Sequence, residues 1–232
     1  MYDPHKNPLH EIVAVALALG AAMGISLTLL VVVNPPKYAP LVVVYGLVMP
    51  YYFLNEFMMT CLFQLSRVNS RSFLIYGNKG NFEFWMVQLL TVWEFLIKRS
   101  AWMKWLGVPE AHTGSTVAGM AMVVGGLAIR SLAMKTCGES FSHVIETEGP
   151  RGLITTGVYS VMRHPSYNGF WLFGIGIQVY LRNWVSLAGS LLILGKFFGV
   201  RIRVEEWYLR KMYGEQYEEY SNRVGIWIPR FG

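Results

Sequence analysis

One arginine lies within a long apolar stretch, where a charge is costly unless it meets a partner or a cavity. Arg130 follows thirteen uncharged residues that begin at Val117. A guanidinium in such a place is suited to binding an anionic group through directed N–H donors. The alternative is a side chain that snorkels to the membrane interface.

A second candidate site surrounds a proline, in the run Arg-His-Pro-Ser-Tyr-Asn-Gly at 163–169. Proline suits the first turn of a helix and disfavours helical geometry at the residue before it. We therefore expect Pro165 to start or precede a helix, with His164 extended and with the imidazole and the Tyr167 ring exposed. Free backbone N–H groups at a helix N-terminus can bind the carboxylate of an amino-acid-bearing cofactor. A surface or capping histidine is the alternative.

A third candidate site is the charged run at 201–210. Helical spacing predicts ion pairs there between Arg201 and Glu205, Arg203 and Glu206, and Glu206 and Arg210. Adjacent residues on a helix point about 100° apart. At most one of Glu205 and Glu206 is therefore expected to face a ligand directly.

Six apolar runs must position these residues, because about 20 apolar residues are needed to cross a ~30 Å hydrocarbon core. They predict an all-α polytopic integral membrane protein with about six transmembrane helices. Four runs span 12–33, 41–63, 82–97 and 117–133; a short helical hairpin follows at 167–180 and 184–200. The third run carries Glu83 and Glu94, and the fifth is short of a full crossing. The tyrosines of the tail, at 213, 217 and 220, are typical of an interfacial aromatic belt.

The composition agrees with a membrane location. Hydrophobic residues make up 53% and charged residues 15% of the 232 positions, against about a quarter charged residues in soluble domains. The net charge of +6 does not indicate nucleic-acid binding, because Lys and Arg lie mostly between apolar runs. Thirteen Lys and Arg fall on the side of both termini and five on the other, which predicts cytosolic termini.

Two further expectations concern processing and cysteine chemistry. The first apolar run is too long for the core of a cleavable signal peptide, so we expect it to be retained as a helix. Cys61 and Cys137 lack the spacing of a disulfide framework or a zinc site. No disulfide and no metal site is therefore expected.

Several blocks of the sequence resemble the isoprenylcysteine carboxyl methyltransferases, particularly the fungal members. The blocks are 130–138 with Phe141 and His143, the motif at 163–169, and 201–206 with its paired glutamates. Residues 7–11, Glu56 and 72–74 extend the resemblance over nearly the whole chain. The motif at 163–169 is shared with membrane phospholipid methyltransferases and sterol reductases, whereas the block from Arg130 narrows the resemblance to the prenylcysteine branch. Leu127 stands where that family often has a polar residue.

The resemblance implies one membrane methyltransferase domain over 1–232. Its first four transmembrane helices would lie in 1–134, and a cytosolic cofactor-binding segment, the hairpin and the tail in 135–232. The implied cofactor is S-adenosyl-L-methionine, and the implied substrates are proteins that end in farnesyl or geranylgeranyl cysteine after CaaX processing. The implied location is the endoplasmic reticulum membrane, crossed several times with both termini cytosolic, and a homo-oligomer is a further expectation.

The resemblance also assigns roles to individual residues. Arg130 and Arg201 would bind the substrate carboxylate while it attacks the methyl group. The implied cofactor-binding residues are His143, Tyr159, His164, Pro165, Tyr167, Gly169, Glu205 and Glu206.

Three other functions share parts of this pattern: a phospholipid N-methyltransferase, an NADPH-dependent sterol reductase, and a non-catalytic membrane scaffold. The positive charge of Arg130 favours a carboxylate acceptor, because it would repel the cationic product of amine methylation. The sequence reveals no site for the 2′-phosphate of NADPH. Failure to bind S-adenosylmethionine would support the scaffold.

Overall fold

The computed structural model describes residues 9–35, 37–78, 80–100, 113–143, 145 and 152–228. Asn7 and Pro8 of the first motif block lie outside these residues, as do five residues of the charge count: Lys6, Lys79, Lys104, Arg151 and Arg230. Within the described residues the protein is helical and has no strand.

Seven helices follow one another in the described part of the chain. They are α1 (Leu9–Val33), α2 (Ala39–Phe63), α3 (Asn81–Lys98), α4 (Thr113–Cys137), α5 (Pro165–Leu181), α6 (Trp184–Tyr213) and α7 (Glu215–Arg223). Short 3-10 turns lie at Leu65–Arg67, Ser70–Phe73, Gly138–Ser140 and Gly157–Ser160. All six predicted helices are present, so the all-α membrane fold is confirmed.

Four of these helices, α1, α2, α4 and α6, are long and apolar enough to cross a membrane. Helix α3 carries Glu83, Glu94 and Lys98, and α5 has only 17 residues. The number of crossings therefore stays a prediction. Helix α6 continues without a break from Trp184 to Tyr213, so the second arm of the hairpin itself carries Glu205 and Glu206.

Local structure accommodates the proline within α2 and the buried acidic residue within α3. Pro50 of α2 has no N–H to donate backwards, and the preceding residues Val43–Val48 widen into a π-helical segment. Glu94 of α3 is buried and accepts hydrogen bonds from the Ser186 backbone N–H (2.6 Å) and hydroxyl (2.7 Å) at the start of α6. The carboxylate thereby caps another helix at its positive end.

Helices α4 and α5 pack so closely that glycine is required at their contact. A Cβ built on Gly126 would lie 2.5 Å from the Gly169 carbonyl oxygen, and one built on Gly169 would lie 2.7 Å from the backbone nitrogen of Arg130. Both distances are too short for any side chain. The contact brings the backbone at Arg130 directly against the first turns of α5, where the proline motif lies.

Gly126→Ala is therefore expected to destabilise the fold, by about 1 to 3 kcal/mol, since the added methyl group would meet backbone that cannot move aside. Gly125→Ala is the matched control, because its Cβ would only touch the Leu172 side chain at 3.9 Å. The midpoint of thermal unfolding in detergent measures both. Equal midpoints for the two variants would contradict the close packing of α4 on α5.

Candidate active site

Arg130 is buried in an ion pair with Glu56 of α2. Its Nε donates to Glu56 Oε1 and its Nη2 donates to Oε2 at 2.8 Å, so the pair is bidentate. Its Nη1 donates to the Ser166 hydroxyl at 2.9 Å and to the Ser166 carbonyl at 3.2 Å. The snorkelling interpretation of Arg130 is wrong, because the guanidinium points into the protein and the residue is only 6% exposed.

Arg201 and Glu205 are joined through Tyr167 rather than directly. The Tyr167 hydroxyl accepts a hydrogen bond from Arg201 Nε (2.8 Å) and donates one to Glu205 Oε2 (2.5 Å). Arg201 Nη2 donates to the backbone carbonyl of His143. The expected Arg201–Glu205 ion pair is thus replaced by a phenol that holds both charges in fixed positions.

Glu206 lies at the centre of a buried cluster behind that phenol. Its carboxylate lies 3.1 Å from His164 Nε2 and 3.3 Å from Arg163 Nε, and it accepts a hydrogen bond from the Tyr217 hydroxyl at 3.1 Å. Of the predicted ion pairs along α6, the pair between Glu206 and Arg210 is present, at 3.7 Å. The expectation of an exposed imidazole is wrong, because His164 is 5% exposed. Pro165 is the first residue of α5, which is one of the two positions that the sequence predicts for it.

Helix α7 packs two tyrosines against this cluster. Tyr217 and Tyr220 are 1% and 3% exposed, so the aromatic-belt interpretation of these two residues is wrong. Burial raises the pKa of Tyr220 to about 12, and burial beside Glu206 raises the pKa of Tyr217. Both phenols therefore stay protonated donors at neutral pH; Tyr220 donates to the Tyr159 carbonyl at 2.7 Å.

Two cavities of different character lie on either side of these residues. The apolar cavity, of about 100 Å³, is lined mostly by hydrophobic residues, which include Phe53, Leu74, Phe84, Leu194, Phe197 and Phe198. Arg130, His143 and Arg201 also line it, and the two arginines form its polar end, where they donate hydrogen bonds to Ser166 and Tyr167. The polar cavity, of about 150 Å³, is lined by residues that include Tyr159, His164, Pro165, Glu205, Tyr217 and Tyr220.

The two cavities share four lining residues. These are Phe141, Ser142, Ser166 and Tyr167. Tyr167 presents its hydroxyl between Arg201 of the apolar cavity and Glu205 of the polar cavity. A group bound in one cavity can therefore meet a group bound in the other at Ser166 and Tyr167.

Three of the residues that the resemblance implies for cofactor binding do not line the polar cavity. His143 lines the apolar cavity rather than the polar one. Glu206 and Gly169 line neither of the two cavities. Glu206 contacts the His164 imidazole, and Gly169 allows the backbone of α5 to approach that of α4.

Comparison with known proteins decides the family. The model of the isoprenylcysteine carboxyl methyltransferase (ICMT) family matches residues 119–211. The protein-S-isoprenylcysteine O-methyltransferase of Saccharomyces cerevisiae is 36% identical over 231 residues, which cover 98% of this chain and 94% of that protein. The chain belongs to the isoprenylcysteine carboxyl methyltransferase family.

Other members of the isoprenylcysteine carboxyl methyltransferase family agree. The protein-S-isoprenylcysteine O-methyltransferase of Xenopus laevis is 31% identical, over 97% of this chain and 75% of that protein. A solved structure of a eukaryotic intramembrane Ras methyltransferase ICMT superposes with a TM-score of 0.80 and 27% identity. That superposition covers 92% of this chain and 75% of the solved one. The resemblance seen in the sequence is confirmed, and the yeast relative is consistent with a fungal-type member.

Glu56 is the site residue whose role sequence reasoning missed, although its block resembled the family. Its carboxylate is 0% exposed and holds two of the guanidinium nitrogens of Arg130. One signal was available: an acid and a base, each isolated in an apolar run, are costly to bury separately and are expected to pair. Ser142 and Ser166, which line both cavities, gave no signal beyond their place in the motif blocks.

Proposed function

We infer that this protein is an enzyme that methylates the C-terminal carboxylate of prenylated cysteine. The observation that carries this inference is the meeting of an apolar cavity, with two arginines at its polar end, and a polar cavity at Ser166 and Tyr167. A lipid with a carboxylate head fits the first cavity, and a polar methyl donor fits the second. The names of the yeast and frog relatives support the same activity.

The apolar cavity suits the substrate. A prenyl chain gains about 0.8 kcal/mol for each CH₂ that it buries, and aromatic rings from α2, α3 and α6 line this cavity. Arg130 and Arg201 lie at the end nearest the residues that line both cavities, and a carboxylate would be placed there. A substrate with its lipid in this cavity therefore presents its carboxylate towards the polar cavity.

The polar cavity suits S-adenosylmethionine. Glu205 contributes a partly exposed carboxylate, which favours a cationic ligand, and its orientation is fixed by the Tyr167 hydroxyl. The start of α5 at Pro165 lines the same cavity and offers backbone N–H groups to a carboxylate. When bound, S-adenosylmethionine supplies a methyl group on a sulfonium centre.

The chemistry needs positioning rather than a base. An α-carboxyl group has a pKa of about 3.5, so the acceptor is already ionised at neutral pH. Opposite charges disappear as the carboxylate oxygen attacks the methyl group, so stabilising the free carboxylate too strongly would slow the reaction. Because Arg130 already shares its charge with Glu56, it directs N–H groups towards the acceptor with a largely offset charge.

The nature of the product tests this inference. Purified protein is incubated with labelled S-adenosylmethionine, a farnesyl-cysteine analogue and phospholipids. We expect the label in an alkali-labile ester of the analogue. Label in an alkali-stable phospholipid amine, or none in either acceptor, would refute the proposed reaction.

The two adjacent glutamates are expected to differ. Glu205→Gln should weaken S-adenosylmethionine binding about tenfold or more, because Glu205 lines the polar cavity and carries its negative charge. Glu206→Gln should mainly lower the thermal midpoint, because Glu206 neutralises Arg163 and holds His164 inside the protein. Ligand titration and thermal unfolding separate the two effects. Loss of stability without loss of affinity in Glu205→Gln would reverse the assignment.

The proposed topology has six crossings: the four long helices cross the membrane, and α3 and α5 cross it as well. Both termini then lie in the cytosol. The polar cavity then opens towards cytosolic S-adenosylmethionine. The proposed location is the endoplasmic reticulum membrane, and the homo-oligomer stays a prediction. A glycosylation acceptor added to either terminus should remain unmodified; its modification in the lumen would refute the orientation.

A further inference from the structure

Tyr52 of α2 places a buried hydroxyl in the apolar cavity. The residue is 1% exposed and lines that cavity. Its ring stacks on Phe173 at 4.9 Å between ring centroids and meets Phe53 and Phe170 edge-on at 5.3 and 5.8 Å. The hydroxyl is therefore held in place by packing on several sides and cannot turn out to another surface.

That hydroxyl donates no hydrogen bond within the part of the chain that the structure describes. A buried hydroxyl without a partner lowers stability, and phenylalanine would fill the same space without that cost. The aromatic packing alone therefore does not account for a tyrosine here. A partner supplied by a bound ligand does.

The surroundings indicate which ligand group would meet the hydroxyl. Tyr52 lies one helical turn before Glu56, and its hydroxyl lies close to Glu56 and to Arg130. Arg130 can donate to the phenol oxygen but cannot accept its proton, because a guanidinium has only N–H groups. The Nε and Nη2 of Arg130 donate to Glu56, and its Nη1 donates to Ser166. Few donors of this guanidinium remain for a ligand, and Glu56 offsets its charge.

We propose that the Tyr52 hydroxyl donates a hydrogen bond to the substrate carboxylate and is a specificity residue for carboxylate acceptors. This proposal rests on the proposed function, which places that carboxylate beside Arg130. A phenol adds a directed donor without adding charge. It therefore binds the carboxylate oxygen that does not attack, while the reacting oxygen stays free.

Tyr52→Phe tests the proposal because it removes one oxygen and keeps the ring. In methyl transfer to a farnesyl-cysteine analogue, kcat/KM should fall about tenfold or more, mostly through KM. Cofactor affinity should stay within about twofold of wild type, and the thermal midpoint should be unchanged or higher. Tyr51→Phe is the matched control, since the neighbouring side chain is 49% exposed and should change none of these values.

A binding measurement separates this proposal from the proposed function. Wild-type protein should bind the farnesyl-cysteine carboxylate more tightly than its carboxamide, and Tyr52→Phe should lose most of that preference. A preference that survives in Tyr52→Phe would overturn the role of Tyr52, even if methyl transfer proceeds normally in the wild type. A lower thermal midpoint together with unchanged KM would overturn it as well, because it indicates a structural hydroxyl. Absence of methyl transfer by the wild type would instead refute the proposed function.

Discussion

Arg130→Lys is expected to lower methyl transfer by about a hundredfold or more, while S-adenosylmethionine affinity stays close to that of the wild type. Lysine keeps the positive charge but loses the planar group that reaches Glu56 with two nitrogens and Ser166 with a third. A displacement of the acceptor by about 1 Å is enough to cost about 10²-fold in rate. Single-turnover methyl transfer and cofactor titration measure the two quantities.

Arg203→Lys is the control for this substitution, because Arg203 lies on an exposed face of α6 and should tolerate the change. A cycle between residue and ligand sharpens the test. Replacing the acceptor carboxylate by an amide should weaken binding in the wild type but add little further loss in Arg130→Ala. Losses that simply add would show that Arg130 does not contact the carboxylate.

Tyr167→Phe is expected to lower methyl transfer by about a hundredfold and S-adenosylmethionine affinity by a smaller factor. The substitution removes the hydroxyl that joins Arg201 to Glu205 and leaves both charges free to reorient, one in each cavity. Misplacement on both sides of the reacting atoms explains why the rate should suffer more than the binding of either ligand. Steady-state kinetics with each substrate varied in turn provide the measurement.

The matched control is Tyr180→Phe, on the same helix and half-buried near its other end, which should leave both values unchanged. Near-normal methyl transfer by Tyr167→Phe would contradict the role of this phenol as the link between the two cavities. A parallel fall in thermal midpoint for both variants would point to α5 stability instead.

Local rules predicted the positions of the helices but not their partners. Apolar runs located α1 to α6, and the proline rule placed the start of α5 at Pro165 or just after it, because both depend on neighbouring residues only. The pairing of Arg130 with Glu56 joins residues 74 positions apart. It depends on how α2 and α4 pack, which one sequence does not specify.

The incorrect predictions at the site share one cause. Spacing along α6 predicted ion pairs within the helix, but such pairs are worth only about 0.2 to 0.5 kcal/mol. Tertiary contacts readily replace such pairs. The Tyr167 hydroxyl hydrogen-bonds to both Arg201 and Glu205, and His164 is buried against Glu206. Tyr217 is likewise buried rather than interfacial, because α7 folds back onto the site, and spacing along the chain does not predict that contact.

The meeting of the two cavities at Ser166 and Tyr167 is tested most directly by an experimental structure with both ligands bound. The suitable pair is S-adenosylhomocysteine and a farnesyl-cysteine analogue with a free carboxylate. We expect the thioether sulfur in the polar cavity beside Glu205 and the lipid in the apolar cavity. The carboxylate should lie between Arg130 and Arg201, with one oxygen directed past Tyr167 towards that sulfur. A carboxylate bound away from both arginines, or both ligands on the same side of Tyr167, would contradict it.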